Sequence, residues 1–138
     1  MSKKKKIRID SALLMEDLRQ EITGMQSFIG VFSSKVNTPS IPLRLPKVVF
    51  RVSFQGEEDF PADCMLSVVN PSGKQIFNTQ EPIRADVKKG FQNIVAVGWS
   101  PAVFTEAGVY QVRFSVDGRA MKALTFEIQE AGASQHKA

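Results

Sequence analysis

The sequence contains almost none of the side chains that nucleophilic enzymes and soft-metal sites use. Of its 138 residues, one is a cysteine, Cys64, and one is a histidine, His136. A lone cysteine cannot form a disulfide within the chain, so nothing calls for an oxidising compartment. His136 lies close to the C-terminus, where few neighbours can hold a general base in place. We therefore predict that the protein is not an enzyme, and that Cys64, at an inward strand position, is a core residue.

Long apolar runs and glycine-rich loops are missing as well. Asp10, Glu16 and Arg19 interrupt the segment near the N-terminus, so we expect neither a signal peptide nor a membrane span, and a cytoplasmic location. Gly108 and Gly118 are too far apart to form a phosphate-binding loop, and we predict no cofactor. Catalysis would require carboxylates that meet from distant strands, which the sequence leaves open.

The excess of positive charge is confined to one short segment. The net charge is +4, from 18 basic and 14 acidic residues, and the lysines at positions 3–6 supply four of the 18. Without them, 14 basic residues are balanced by 14 acidic ones. We predict a flexible basic tail over residues 1–6, a single β-sandwich domain over residues 7–129 and a disordered C-terminal tail over residues 130–138.

Alternation of apolar and polar residues with a period of two is the main structural signal. Residues 108–119 alternate cleanly and turn at Asp117-Gly118 into a second apolar alternation, which predicts a β-hairpin at the end of the domain. The alternation slips near Lys122, where a bulge would restore the register. Two earlier strands are expected to face inward with these residues: Val48, Phe50, Val52 and Phe54, then Cys64, Leu66 and Val68.

Seven or eight short strands with turn signals between them predict an all-β fold. An antiparallel β-sandwich is favoured, with a small barrel as the alternative. Three prolines in residues 38–47 exclude a central strand there and indicate an extended crossing between sheets. Residues 91–99 are predicted to form a strand that is apolar on both faces. Residues 78–90 show no apolar period, so a long loop is expected.

Residues 10–24 allow two interpretations. Apolar residues recur there at a helical spacing, whereas the surrounding β-structure favours a strand over residues 12–19 that turns at Gly24. We favour the hairpin. Its second strand, residues 25–33, has apolar residues at both parities and is expected to be covered on both sides. Gly30 within it indicates a bulge or a close approach of the backbone.

Three segments resemble a known family. Residues 12–21 carry an acidic pair and end in Arg-Gln-Glu, residues 27–32 read Ser-Phe-Ile-Gly-Val-Phe, and residues 108–114 form a Gly-x-Tyr-x-Val-x-Phe strand. Together they resemble an uncharacterised family of small bacterial and phage proteins of unknown function, over most of residues 10–128. The resemblance implies an immunoglobulin-like β-sandwich, favours a strand for the first segment and brings no known catalytic residue.

We predict a non-catalytic protein-interaction or structural module, associated with a phage or a mobile element, whose partner is another protein. Sandwich folds commonly bind through loops or edge strands, so the loops at residues 56–61 and 80–90 are the expected contact sites. The charged residues in these loops are Glu57, Glu58, Asp59, Arg84, Lys88 and Lys89. An exposed edge strand could also pair with its own copy and give a homo-oligomer.

Two alternatives stay open. A nucleic-acid-binding accessory protein would use Lys88-Lys89-Gly90-Phe91 as a stacking platform, although a solvated loop followed by a core aromatic is the more ordinary interpretation. Its further contacts would be Arg84 and the tail, with Lys3, Lys4, Lys5 and Lys6. A calcium-dependent module would use the acidic side chains of Glu57, Glu58, Asp59 and Asp63. Their spacing fits no defined calcium loop, so we predict no metal site.

Overall fold

The computed structural model of the protein describes residues 6–131, and these form twelve β-strands. Within that range, no helix is long and apolar enough to cross a membrane. The strands are β1 (Ile7–Gln20), β2 (Gln26–Val31), β3 (Lys35–Thr38), β4 (Leu43–Leu45), β5 (Val48–Gly56), β6 (Phe60–Val69), β7 (Gln75–Asn78), β8 (Ile83–Val87), β9 (Asn93–Trp99), β10 (Ala102–Phe104), β11 (Gly108–Val116) and β12 (Arg119–Glu130). The predicted number of strands is too low because β3, β4 and β10 have only three or four residues, too few to show an alternation.

Two sheets lie face to face. Sheet A has the order β2-β1-β5-β9, and sheet B has the order β3-β12-β11-β6-β7, with β8 also paired to β6. The pairs in both sheets are antiparallel, apart from the parallel pair of β3 and β12. Placing β1, β5 and β9 in one sheet and β6, β11 and β12 in the other reproduces the strand order of the immunoglobulin fold. The predicted immunoglobulin-like β-sandwich is confirmed.

The core is built from the inward faces of both sheets. The four residues of β5 that were predicted to face inward are at most 1% exposed: Val48, Phe50, Val52 and Phe54. Phe54 meets Phe114 of β11 across the space between the sheets, with ring centroids 5.2 Å apart. Burying a phenylalanine side chain contributes about 1.5–3 kcal/mol, so these contacts are a main source of stability.

Phe104, on the short strand β10, is the centre of an aromatic cluster. Its ring packs edge-on against Trp99, Tyr110 and Phe126, with centroid distances of 5.3, 5.4 and 5.9 Å. Tyr110 and Phe126 stack on each other at 5.3 Å. Because edge-on and offset-stacked pairs each add about 0.5–1.5 kcal/mol beyond their burial, the cluster ties the end of sheet A to two strands of sheet B.

Tyr110 also fixes the turn that leads into its own strand. Its hydroxyl donates to the carbonyl of Glu106 at 2.6 Å and accepts from the Glu106 N–H at 3.3 Å. This bond to the backbone a few residues upstream is the tyrosine corner of immunoglobulin-like domains. Where antibody domains carry a cysteine, two residues further on, this chain has the buried Val112. Aromatic packing and the tyrosine corner therefore stand in for the missing disulfide.

The first strand pair confirms the hairpin interpretation and adds an unexpected bend. Arg51 of β5 lies opposite Leu13 of β1. Its Nε nevertheless donates to Gln26 Oε1 at 2.8 Å, and Gln26 is paired with Gln20. An extended strand from Leu13 to Gln20 spans about 23 Å, so the hairpin must fold back over the outer face of sheet A. We call residues 16–31 the flap.

The expectation that the second strand is covered on both sides is wrong. Phe28, Ile29 and Val31 are 41%, 38% and 47% exposed, because β2 is the edge strand of sheet A. Gly30 makes the predicted close approach, at a φ of +64°. A Cβ at this position would lie 2.8 Å from two side-chain carbons of Glu16, so a larger residue would require that side chain to shift, and the positive φ itself favours glycine.

The expected long loop at residues 78–90 contains β8, which pairs with the first half of β6. Three alternating apolar residues inside a polar stretch are a weak signal, since pairing to β6 rather than local sequence stabilises the strand.

The expected crossing between the sheets and the expected bulge in the last strand are both confirmed. Residues 38–47 cross from β3 in sheet B to β5 in sheet A, and β12 has an irregular register near Lys122.

Replacing Tyr110 with phenylalanine tests the tyrosine corner. Tyr110→Phe keeps the ring packing and removes both bonds to Glu106, so we expect the free energy of unfolding to fall by about 1–2 kcal/mol in urea denaturation. Ser72→Ala is the matched control, because it removes an exposed hydrogen bond to the Glu106 side chain and should change stability by less than about 0.5 kcal/mol. Equal losses in the two variants would contradict the assignment.

Candidate functional site

The two loops that the sequence analysis selected meet at one end of the sandwich. Glu57, Glu58 and Asp59 form the turn between β5 and β6, and Lys88 and Lys89 follow β8. The backbone N–H of Lys89 donates to the Asp59 carboxylate at 2.8 Å. Pairing of β6 with β8 brings these loops together, and the two sequence segments alone gave no sign of that contact.

Arg84 lies apart from Lys88 and Lys89, on strand β8. Its Nε is 2.9 Å from Asp63 Oδ1, and both side chains are at least half exposed. An exposed ion pair contributes little to stability, but it satisfies the charge of Arg84. Within residues 6–131, no three histidine, cysteine, aspartate or glutamate side chains converge to hold a metal ion.

The acidic turn also approaches the start of the described chain. The N–H of Glu57 donates to the carbonyl of Lys6 at 3.3 Å, so acidic and basic residues are mixed at this end of the molecule. Lys3, Lys4, Lys5 and His136 lie outside the described residues.

Phe91 is not the core aromatic that the ordinary interpretation required. Its side chain is 70% exposed, and strand β9 begins only at Asn93. The N–H of Phe91 donates to the carbonyl of Lys88 at 3.1 Å, which holds the ring on a turn directly after the two lysines. Sequence alone does not show whether a single apolar residue next to a strand belongs to that strand. Phe91 precedes β9 and is not part of it.

The flap is the surface that sequence reasoning missed. The described chain has eight large, exposed apolar side chains, and five of them lie between residues 22 and 31. They are Ile22 at 106%, Met25 at 67%, Phe28 at 41%, Ile29 at 38% and Val31 at 47% exposure. Apolar residues at both parities of residues 25–33 indicated a strand with two apolar faces. The sequence did not show whether the domain itself or a partner covers those faces.

Besides the hydrogen bond from Arg51 to Gln26, two further contacts hold the flap in place. The guanidinium carbon of Arg51 lies 4.8 Å from the centre of the Phe28 ring, and burial of that guanidinium lowers the pKa of Arg51. Lys47 Nζ lies 2.8 Å from Asp17 Oδ1, and this hydrogen bond lowers the pKa of Asp17. The exposed apolar side chains are therefore presented on a positioned hairpin.

Two adjoining depressions of about 340 Å³ each follow the flap along its junction with β3 and β4. Glu16 and Leu45 line both depressions. From the flap, Ile29 lines the first and Val31 lines the second. The carboxylate of Glu16 makes no hydrogen bond or ion pair to another residue within 6–131. The groove is thus mainly apolar, and its charged lining residues are Glu16, Asp17, Lys35 and Lys47.

Cys64 is a core residue, as expected. It is fully buried in β6, and burial is the main cause that raises the pKa of its thiol from 9.0 to about 11, with further contributions from Asp117 and Asp63. The thiolate that nucleophilic chemistry requires is therefore disfavoured.

Comparisons with known proteins fit this description. The model of a family of unknown function, DUF6941, matches residues 10–129. No curated protein matches the chain. One similar solved structure is the alkylpurine DNA glycosylase AlkC of Pseudomonas fluorescens bound to DNA with an abasic site analog, at a TM-score of 0.52 and 8% identity. The match covers 89% of this chain and 30% of that one, and at this identity it supports the fold alone.

Two further structures are similar at lower scores. The β-glucosidase EmGH1 of Erythrobacter marinus has a TM-score of 0.48 and 9% identity, with 91% of this chain and 16% of that chain covered. An immunoglobulin-like protein of Pseudomonas aeruginosa has a TM-score of 0.39 and 16% identity, with 90% of this chain and 97% of that chain covered. The chain thus spans less than a third of the glycosylase and the glucosidase that it matches.

The raised pKa of Cys64 makes stability depend on pH. The unfolded chain loses the thiol proton near pH 9, whereas the folded chain keeps it up to about pH 11. The free energy of unfolding should therefore fall by about 1.4 kcal/mol for each pH unit within that window, and the loss should level off above it.

Urea denaturation across the window measures this slope, with Cys64→Ala as the control that lacks the titrating group. Other groups titrate equally in both proteins, so the difference between the two slopes reports Cys64. Parallel curves for the two proteins would contradict the prediction.

Proposed function

The chain belongs to the family of unknown function DUF6941, and we propose that it is a non-catalytic protein-interaction module that binds its partner through the flap. The proposal moves the contact surface from the predicted loops at residues 56–61 and 80–90 to residues 16–31. The bacterial or phage setting and the cytoplasmic location stay predictions from the sequence.

The observation that carries the proposal is the concentration of exposed apolar surface on the flap. Single exposed apolar residues are normal on a soluble protein, whereas a contiguous group of them marks an interaction surface. Ile22 and Met25 lie at the hairpin turn, where neither contributes to the core of the sandwich. Their exposure is therefore accounted for by a partner rather than by folding.

The exposed edge of β2 supports the same surface. Its sequence, Gln-Ser-Phe-Ile-Gly-Val, contains no charged residue and no proline. Soluble proteins usually protect edge strands with charges, prolines or bulges, since a bare edge can pair with another chain. Gly30, with its positive φ, is the one irregularity in this strand. An extended segment of a partner could add to β2 through backbone hydrogen bonds.

The groove beside the flap indicates the chemistry of that segment. Apolar side chains of Ile29, Val31 and Leu45 suit apolar residues of a partner strand. Glu16 forms no ion pair among the described residues, although Lys35 and Lys47 line the same depressions, so a lysine or arginine of the partner would give this carboxylate a direct ion pair. The favoured partner is a protein with an extended, apolar segment that carries a basic residue.

Substitutions on the flap test the proposal. Ile29→Lys places a charge on the edge strand, and Met25→Ser removes an apolar group from the turn. Both side chains are exposed, so the fold should be retained. In affinity capture from a lysate of the native host, we expect a stoichiometric partner whose recovery falls at least about tenfold in each variant, equivalent to ~1.4 kcal/mol of binding free energy.

Val109→Ser is the matched control, because Val109 is 49% exposed and lies on β11 of sheet B. Its recovery of partner should equal that of the wild type. A synthetic peptide of the captured segment should then bind the purified chain, and Glu16→Lys should weaken it if the segment is basic. Equal recovery by all variants would overturn the proposal, and sedimentation that shows a dimer disrupted by Ile29→Lys would identify the partner as a second copy instead.

The exposure of Phe91 favours nucleic-acid binding as a second candidate function. The exposed ring follows Lys88 and Lys89, as expected of a platform on which a base stacks beside a phosphate contact. Against it, the acidic turn with Asp59 lies in the same region. We therefore rank this function below protein binding.

Fluorescence anisotropy with a single-stranded oligonucleotide at low salt distinguishes the second candidate. Binding through this platform should weaken by about 1–3 kcal/mol in Phe91→Ala and should fall steeply with added salt. Met25→Ser, on the flap, is the control and should bind like the wild type. Absence of binding by the wild type at low salt would exclude this function.

A further inference from the structure

The outer face of sheet B carries a row of polar residues that crosses four neighbouring strands. Arg113 of β11 lies opposite Lys122 of β12 on one side and opposite Ser67 of β6 on the other. Ser67 in turn lies opposite Asn78 of β7. Directly paired side chains point to the same face of a sheet, so these four groups form one line across it.

The two cations in this row are next to each other without a compensating carboxylate. Like charges in directly opposed positions destabilise a sheet, because their Cβ atoms are only about 4.5–5.5 Å apart. Arg113 makes one long hydrogen bond, at 3.4 Å, to Gln111, and neither cation forms an ion pair to any residue of the described range. Arg84 shows the contrast, since it lies on the same sheet and is paired with Asp63.

A depression of about 290 Å³ is lined by Arg113, whereas Lys122 is not among its lining residues. Met65 and Ala120 supply apolar surface, and Ser67, Gln75 and Ser115 supply hydrogen-bonding groups. None of those three polar side chains bonds to another described residue. Their donors and acceptors are therefore available to a ligand, beside Arg113 and close to the opposed Lys122.

We infer that this depression binds a small anion that also carries hydroxyl groups, in the manner of a sugar acid or a sugar phosphate. Arg113 would hold the carboxylate or phosphate, since a guanidinium binds either group through paired hydrogen bonds, and Lys122 beside it would add to the positive potential. Ser67, Gln75 and Ser115 would bind the hydroxyls. The ligand would neutralise the opposed cations. This site lies on sheet B and is independent of the flap on sheet A.

Nuclear magnetic resonance titration of the isotope-labelled chain tests the inference. The probes are glucuronate, which carries a carboxylate, and glucose 6-phosphate, with glucose as the neutral counterpart and inorganic phosphate as the anion without hydroxyls. We expect at least one of the two sugar anions to shift the amide signals of β6, β7 and β11, and to bind more tightly than either glucose or inorganic phosphate. Which sugar anion binds more tightly identifies the acidic group.

Three variants complete the experiment. Arg113→Gln should weaken binding of the sugar anion at least tenfold, and Lys122→Gln should weaken it by a smaller factor. Arg44→Gln is the control, because Arg44 is an exposed cation on β4 and its loss changes the net charge equally. Stability of each variant, measured by urea denaturation, should equal or exceed that of the wild type, since removing a like charge relieves repulsion.

Several results would overturn the inference. They are an absence of shifts on β6, β7 and β11 with both sugar anions, equal binding of inorganic phosphate and the sugar phosphate, or equal weakening by Arg44→Gln and Arg113→Gln. Each would show that the row is a solvated surface or a diffuse electrostatic patch. Loss of partner capture by the flap variants leaves these titrations unchanged, so the two proposals fail separately.

Discussion

Closure of the two sheets over an aromatic core is the constraint on which the rest of the molecule depends. Phe104 sits at its centre, in edge-on contact with Trp99 and Tyr110. Tyr110 adds a hydroxyl that fixes the turn before β11. In a chain without a disulfide, these contacts set the distance between the sheets and the relative position of their strands. The positions of the residues on the outer surfaces depend on this core.

The outer surfaces of the two packed sheets differ in chemical character. Sheet A ends in β2, a bare edge strand within a hairpin that folds back and presents Ile22 and Met25 to solvent. Sheet B presents a polar face on which Arg113 and Lys122 are opposed. The apolar surface suits a protein partner, and the cationic face suits a small anion. One domain of this size could therefore link a protein contact to recognition of a ligand.

Much of the fold follows from local pattern. In β5, β6 and β11 the inward residues were predicted correctly, because a strand that is buried on one face must alternate. Two features were predicted wrongly because they depend on neighbouring strands rather than on local pattern. Strand β8 is short and is stabilised by pairing to β6, and Phe91 precedes a strand whose start depends on its neighbours. The candidate surfaces were harder still, because the flap and the row around Arg113 join residues from distant parts of the sequence.

Local sequence pattern specifies the β-class, the inward residues, the hairpin at the C-terminal end of the domain and the scarcity of reactive side chains, since each is a property of single residues or of their neighbours along the chain. Three further features depend on how the strands pack together: residues 16–31 fold over sheet A, Glu16 lies in a mainly apolar groove and Arg113 meets Lys122. Strand pairing and sheet packing bring such groups together through register, and register is fixed by the whole core rather than by any one segment.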